Sequence, residues 1–101
     1  MNSDELTYLQ DLKNDDTASE FADKTYGVIR LKTIYRGEGL YFQLNDRALI
    51  CTISARDAML SKKSIKRWDN GKLIEEQERD TILEIIKLYY PKAYLSELTI
   101  I

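Results

Sequence analysis

Between Glu75 and Tyr90 the apolar residues Ile82, Ile85, Ile86 and Tyr89 fall at i, i+3, i+4, i+7, the spacing that lines one face of an α-helix. Glu75, Glu76 and Glu78 load its start with negative charge, where the helix dipole favours it. Pro91 has no N–H and disfavours helical backbone just before itself, so the pattern predicts a stop near Tyr90. Full burial of each stripe residue contributes roughly 1.5–3 kcal/mol, an upper bound because denatured chains already bury some surface. The rest of the chain is therefore expected to pack against this helix.

From Tyr26 the period changes to two. Ile29, Leu31, Thr33 and Tyr35 alternate with Val28, Arg30, Lys32, Ile34 and Arg36, the pattern of a half-buried strand. Arg36-Gly37-Glu38-Gly39 reads as a hairpin turn. Leu40, Phe42 and Leu44 mark a second strand, Asn45-Asp46-Arg47 a second turn, and Leu49, Cys51 and Ile53 a third strand. Short turns between them predict an antiparallel meander. Upstream, Leu6, Leu9 and Leu12 predict a helix over Asp4–Lys13 that Ser3 can cap. The stretch NDDTASEFADK reads as loop or a short second helix, and as the least firmly held part of the chain. Ala55–Lys63 fits either a helical turn or a loop; Ser64–Trp68 fits a strand or the lead into the main helix. Tyr94, Leu98 and Ile100 predict a last strand. The expected architecture is one α+β domain: an antiparallel meander of about four to five strands, an N-terminal helix and a long C-terminal helix packed on the sheet.

Composition narrows the chemistry. A chain of 101 residues with 44% hydrophobic and 32% charged content fits a single globular domain. No run of about 18 apolar residues is present, so no membrane span is expected. The acidic opening lacks the basic and apolar regions of a signal peptide, and the single cysteine fits a reducing compartment, which together predict a cytoplasmic protein. The chain contains no histidine. That removes the commonest general base and metal ligand, together with Ser–His and Cys–His nucleophiles and Cys/His zinc sites. No catalytic residue, metal or cofactor is expected.

Charge is unevenly placed. Residues 1–23 carry seven acids and one base, a balance of −6, while the remainder carries fourteen bases and ten acids, +4. This suits either a surface that meets a basic partner or ordinary solubility. Cys51, mid-strand between Leu49 and Ile53, reads as a buried structural thiol. Gly37 and Gly39 make no phosphate loop. Lys62, Lys63, Lys66, Arg67 and Lys72 around Trp68 have the composition of a nucleic-acid contact, basic side chains with an aromatic for stacking. Against it stand the net charge of −2 and the more ordinary role of a lone Trp as a core anchor. The seven tyrosines fit both core and binding surface.

The block Ser64-Ile65, Trp68, Ile74, Glu78-Arg79, Ile82-Leu83 and Ile86 resembles the C-terminal signature of small immunity proteins from bacterial contact-dependent growth inhibition and polymorphic-toxin systems. Those chains read as a short sheet, "SI..W", a turn, "ER..IL..I" on a helix, and a last strand. The preceding hairpin YRGEGLYFQLNDRALICTI is in keeping, so the resemblance covers about Tyr35–Ile101. This chain departs from it at Glu75, where the pattern carries a Ser/Thr-like cap, and at Asp69-Asn70-Gly71, where a proline often follows the Trp. The resemblance implies a cytosolic antitoxin that binds a toxin domain, often a nuclease with a basic cleft, in a 1:1 complex, with no membrane or nucleic-acid partner and no chemistry of its own. The acidic N-terminal third supplies the expected contacts: Asp15, Asp16, Glu20 and Asp23, with Glu38 and Tyr41 at the hairpin. The alternative is a nucleic-acid module centred on Lys62–Lys72.

Overall fold

The computed structural model describes residues 3–101, and of Ser3 only the backbone; the cap expected from the Ser3 side chain lies outside what is described. The elements run α1 (Ser3–Lys13), β1 (Ser19–Asp23), β2 (Gly27–Ile34), β3 (Gly39–Leu44), β4 (Arg47–Ser54), β5 (Met59–Leu60), α2 (Glu76–Tyr94) and β6 (Thr99–Ile100). The strands form one six-stranded sheet in the order β1-β2-β3-β4-β5-β6. Successive strands pair antiparallel except β5 and β6, which are parallel. The α+β class and both helices agree with the sequence pattern. The sheet is one strand larger than expected and mixed rather than wholly antiparallel. Among the described residues no helix is long and apolar enough to cross a membrane.

The period-two pattern sorts side chains onto two faces. Ile29, Leu31, Leu40, Phe42, Leu49, Cys51 and Ile53 meet Ile82, Leu83, Ile85, Ile86, Tyr89 and Tyr90 of α2 in the main core. On the opposite face Leu9 and Leu12 of α1 pack against Ile34, Tyr41 and Ala48. The sheet is thus covered on both sides, and the acidic N-terminal segment forms the outer layer of one. Cys51 is buried, and burial pushes its thiol up to about 12.

The neighbouring β1–β2 and β3–β4 turns both rest on left-handed backbone. Asn45 (φ 56) closes the two-residue β3–β4 turn. Its side-chain Oδ1 accepts the Val28 N–H at 3.0 Å and its Nδ2 donates to the Tyr26 carbonyl at 3.1 Å. Gly27 (φ +107) lies against that amide, where a Cβ would come within 2.3 Å of Asn45 Oδ1.

Three expectations need correction. Residues 19–23 are an edge strand rather than loop or helix: Phe21 anchors it with its ring 4.9 Å from that of Tyr89. The long helix does not stop at Tyr90 but runs through Pro91 to Tyr94. Tyr94 offsets the proline's cost: its ring lies 4.9 Å from that of Tyr90 and its hydroxyl accepts the Thr33 N–H at 2.8 Å. The helix ends at Leu95, left-handed at φ 57, whose N–H returns to the Pro91 carbonyl at 2.9 Å. Residues 64–68 are neither a full strand nor a direct lead into α2, while 55–63 are the turn or loop expected apart from the two-residue β5. Together they hold the short β5, a 3-10 turn over Lys62–Ser64 and irregular chain, with Arg67 bridged to Leu73.

Candidate functional site

The α1–β1 layer is held by two cations of β2. Arg30, paired across the sheet with Glu20 and Gln43, points to the α1 face and is only 8% exposed. Its guanidinium donates to the carbonyls of Leu12 at 3.1 Å and Lys13 at 2.6 Å, to that of Asp15, and to Gln43 Oε1 at 3.1 Å. These are carbonyls at the end of α1 and just beyond it, where helical backbone has no partner of its own and a cation is favoured. Glu20 lies 3.5 Å from the Arg30 Nε. One residue pair further on, Lys32 donates to the Asp15 carboxylate and, at 2.7 Å, to Thr17 Oγ1. The other Asp15 oxygen accepts from the Thr17 amide and hydroxyl at 2.8 and 2.6 Å.

Asp23 does the same work at the other end of β1. One oxygen accepts the amides of Thr25 and Tyr26, closing the turn into β2, and the other accepts the Tyr89 hydroxyl from α2. The Lys32 hydrogen bond, with those from Thr17, holds the Asp15 carboxyl well below the usual carboxylate range. The Tyr89 hydroxyl, then the amides of Tyr26 and Thr25, lower that of Asp23.

A pH dependence follows with a defined sign. Both carboxyls have depressed pKa values in the folded state, so the stabilisation is present above the unfolded carboxylate value of about 4 and is lost as pH falls through the folded values. Urea midpoints taken from pH 7 down to pH 2.5 are expected to hold to about pH 5 and then decline. The Asp15→Asn, Asp23→Asn double variant should start lower at pH 7 and decline less; a decline as steep as wild type would assign the acid sensitivity elsewhere.

The six expected contact residues therefore separate. Asp15 and Asp23 are committed to the scaffold. Asp16 and Glu20 are exposed. Glu38 is also exposed, but at the β2–β3 connection, the far end of β2 from Asp23. Tyr41 is fully buried under α1, which removes it from any contact surface. Two acids not singled out from the sequence join the exposed set. Asp4 and Asp11, seven residues apart, share one side of α1; that spacing was the signal that could have found them. The side chains of Asp4, Asp11 and Asp16 form no ion pair among the described residues.

The basic segment loses its stacking element. Trp68 is fully buried, with Phe42 6.3 Å away, the Arg47 guanidinium 4.4 Å over its ring, and its Nε1 donating to Glu78 Oε1 at 3.1 Å. Lys63, Lys66, Arg67 and Lys72 remain exposed without it. Glu75, at the departure from the immunity-protein pattern, sits at the N-cap of α2 and makes no side-chain cap bond. Among the described residues no group of three or more His, Cys, Asp or Glu is placed to hold a metal ion. Compared with known protein families, with curated proteins and with solved structures, the chain finds no match.

Proposed function

We propose that this chain is a protein-binding inhibitor, an immunity protein that docks on a basic toxin domain, such as a nuclease with a basic cleft, through the outer surface of α1 and β1. The observation that carries the reading is the division of labour among the N-terminal acids. Asp15 and Asp23 hold the layer in place, while Asp4, Asp11, Asp16 and Glu20 stay exposed on it. Arg30 and Lys32 fix the backbone that carries Asp16 and Glu20, so their charges sit in set positions before any partner arrives. Fixed charges of one sign steer a partner of the other and hold its register. Cytoplasmic residence belongs to the same proposal, since the toxin would be met there.

The test is co-expression with a candidate toxin domain from the neighbouring open reading frame. Growth rescue and co-purification through about 0.5 M salt, where exposed charge pairs are largely screened, are the expected outcome. Reversing Asp4, Asp11, Asp16 and Glu20 to lysine together is expected to weaken binding at least tenfold at 0.1 M salt and to flatten its salt dependence. Rescue and affinity unchanged by the four reversals would discard this surface. No rescue and no complex would discard the function.

A further inference from the structure

β1 is the outer strand of the sheet, and its free edge can be read residue by residue. The Val28 carbonyl accepts the Asn45 N–H at 2.8 Å and the Val28 N–H donates to Asn45 Oδ1, so the backbone groups of Val28 point towards β3. In an antiparallel ladder the next residue points the other way. The groups of Ile29 and Leu31 therefore face β1 and bond their partners Phe21 and Ser19. It follows that the N–H and C=O of Glu20 and Ala22 point away from the sheet. The same parity places the Thr33 N–H on the β1 side, beyond the strand's start, and there the Tyr94 hydroxyl accepts it. The fold closes the open end of β2 but leaves the β1 edge uncovered among the described residues.

That edge is protected by charge alone, through Glu20 and Asp23. Ser19–Asp23 holds no proline and no lysine, and its register with β2 runs without a bulge. It is also firmly seated, by Phe21 against Tyr89 and by Asp23 at the turn. Its charge selects the occupant. Residues 14–23 carry four acids and no base. Pairing with a second copy about a two-fold axis at Phe21 would set Glu20 diagonal to its own mate, about 7–8 Å away, and bring two acidic segments together. An extended segment bearing lysine or arginine meets neither obstacle.

We propose that β1 is a docking edge at which an extended, basic segment of a partner protein adds as a seventh strand, hydrogen-bonded to the backbone of Glu20 and Ala22. This deepens the inhibitor reading and rests on it: the segment belongs to the toxin domain. Main-chain bonds supply the register, and Glu20 with Asp16 meet the segment's cations.

The decisive measurement is amide exchange of the intact chain, alone and in complex with the toxin domain. Alone, the Glu20 and Ala22 amides are expected to exchange fast and the Phe21 amide slowly. In the complex the first two should slow at least tenfold while Phe21 changes little. Ala22→Pro provides the second arm, since it removes an outward donor without breaking a β1–β2 bond. It should retain the fold and bind at least tenfold more weakly with an unchanged salt slope. Toxin binding without protection at Glu20 and Ala22 overturns the edge proposal and leaves the inhibitor function standing. No toxin binding overturns both. A wild-type dimer in sedimentation that Ala22→Pro makes monomeric overturns it as well, because a second copy would then be the occupant.

Discussion

Trp68→Ala is expected to lower the free energy of unfolding by about 3–5 kcal/mol, the range for removing a large aromatic from a packed core. Trp68 is fully buried and ties the β3–β4 hairpin to the start of α2. Its ring meets Phe42 of β3, its indole N–H donates to Glu78 in the first turn of α2, and Arg47 of β4 lies over its face. Arg47 in turn pairs with the same Glu78 carboxylate at 3.3 Å. Removing the indole therefore opens a cavity and takes one partner each from Glu78 and Arg47. Trp68→Phe keeps part of the ring and loses the hydrogen bond, so it should cost less than half as much. Urea denaturation at pH 7 separates the cases: the midpoint should fall in both, with the slope unchanged. A Trp68→Ala protein within 1 kcal/mol of wild type would mean that the 64–74 segment is held by its backbone contacts alone.

The helix that Trp68 supports was legible in the sequence because Ile82, Ile85, Ile86 and Tyr89 repeat locally, as were the three strands of period two. What escaped was set by residues distant in the chain. Nothing in NDDTASEFADK announces a strand; β1 exists because Arg30, paired with Glu20, and Tyr89, 66 residues from Asp23, supply its contacts. The stop expected at Pro91 follows from local backbone preference, which the docking of Tyr94 onto Thr33 overrides. The candidate site was half legible for the same reason. An acid count shows where negative charge concentrates. It cannot separate Asp15, committed to Lys32 and Thr17, from its neighbour Asp16, left exposed. Tyr41 reads as surface or core until α1 is placed over it.

The second large effect is expected at Arg30. Arg30→Met preserves length and apolar bulk but removes the donors to the carbonyls of Leu12, Lys13 and Asp15 and to Gln43. A part-buried acceptor left without a donor costs about 1–3 kcal/mol, and water can reach some of these. A net loss of about 2–4 kcal/mol is expected. The loss should be spatially uneven. The main core between the sheet and α2 does not touch Arg30, so its amides should keep exchange rates close to those set by global unfolding. Amides from Leu12 to Ser19 should exchange markedly faster, because the end of α1 and the start of β1 lose their common anchor. Arg30→Lys discriminates between charge and geometry: one ammonium keeps the cation near Glu20 but cannot span carbonyls of three separate residues. If the fork matters, the lysine variant recovers less than half of the loss. Full recovery would show that the positive charge alone holds the layer. Partner binding should follow the same order, since Arg30 positions Asp16 through the neighbouring Asp15 carbonyl and Glu20 through their ion pair.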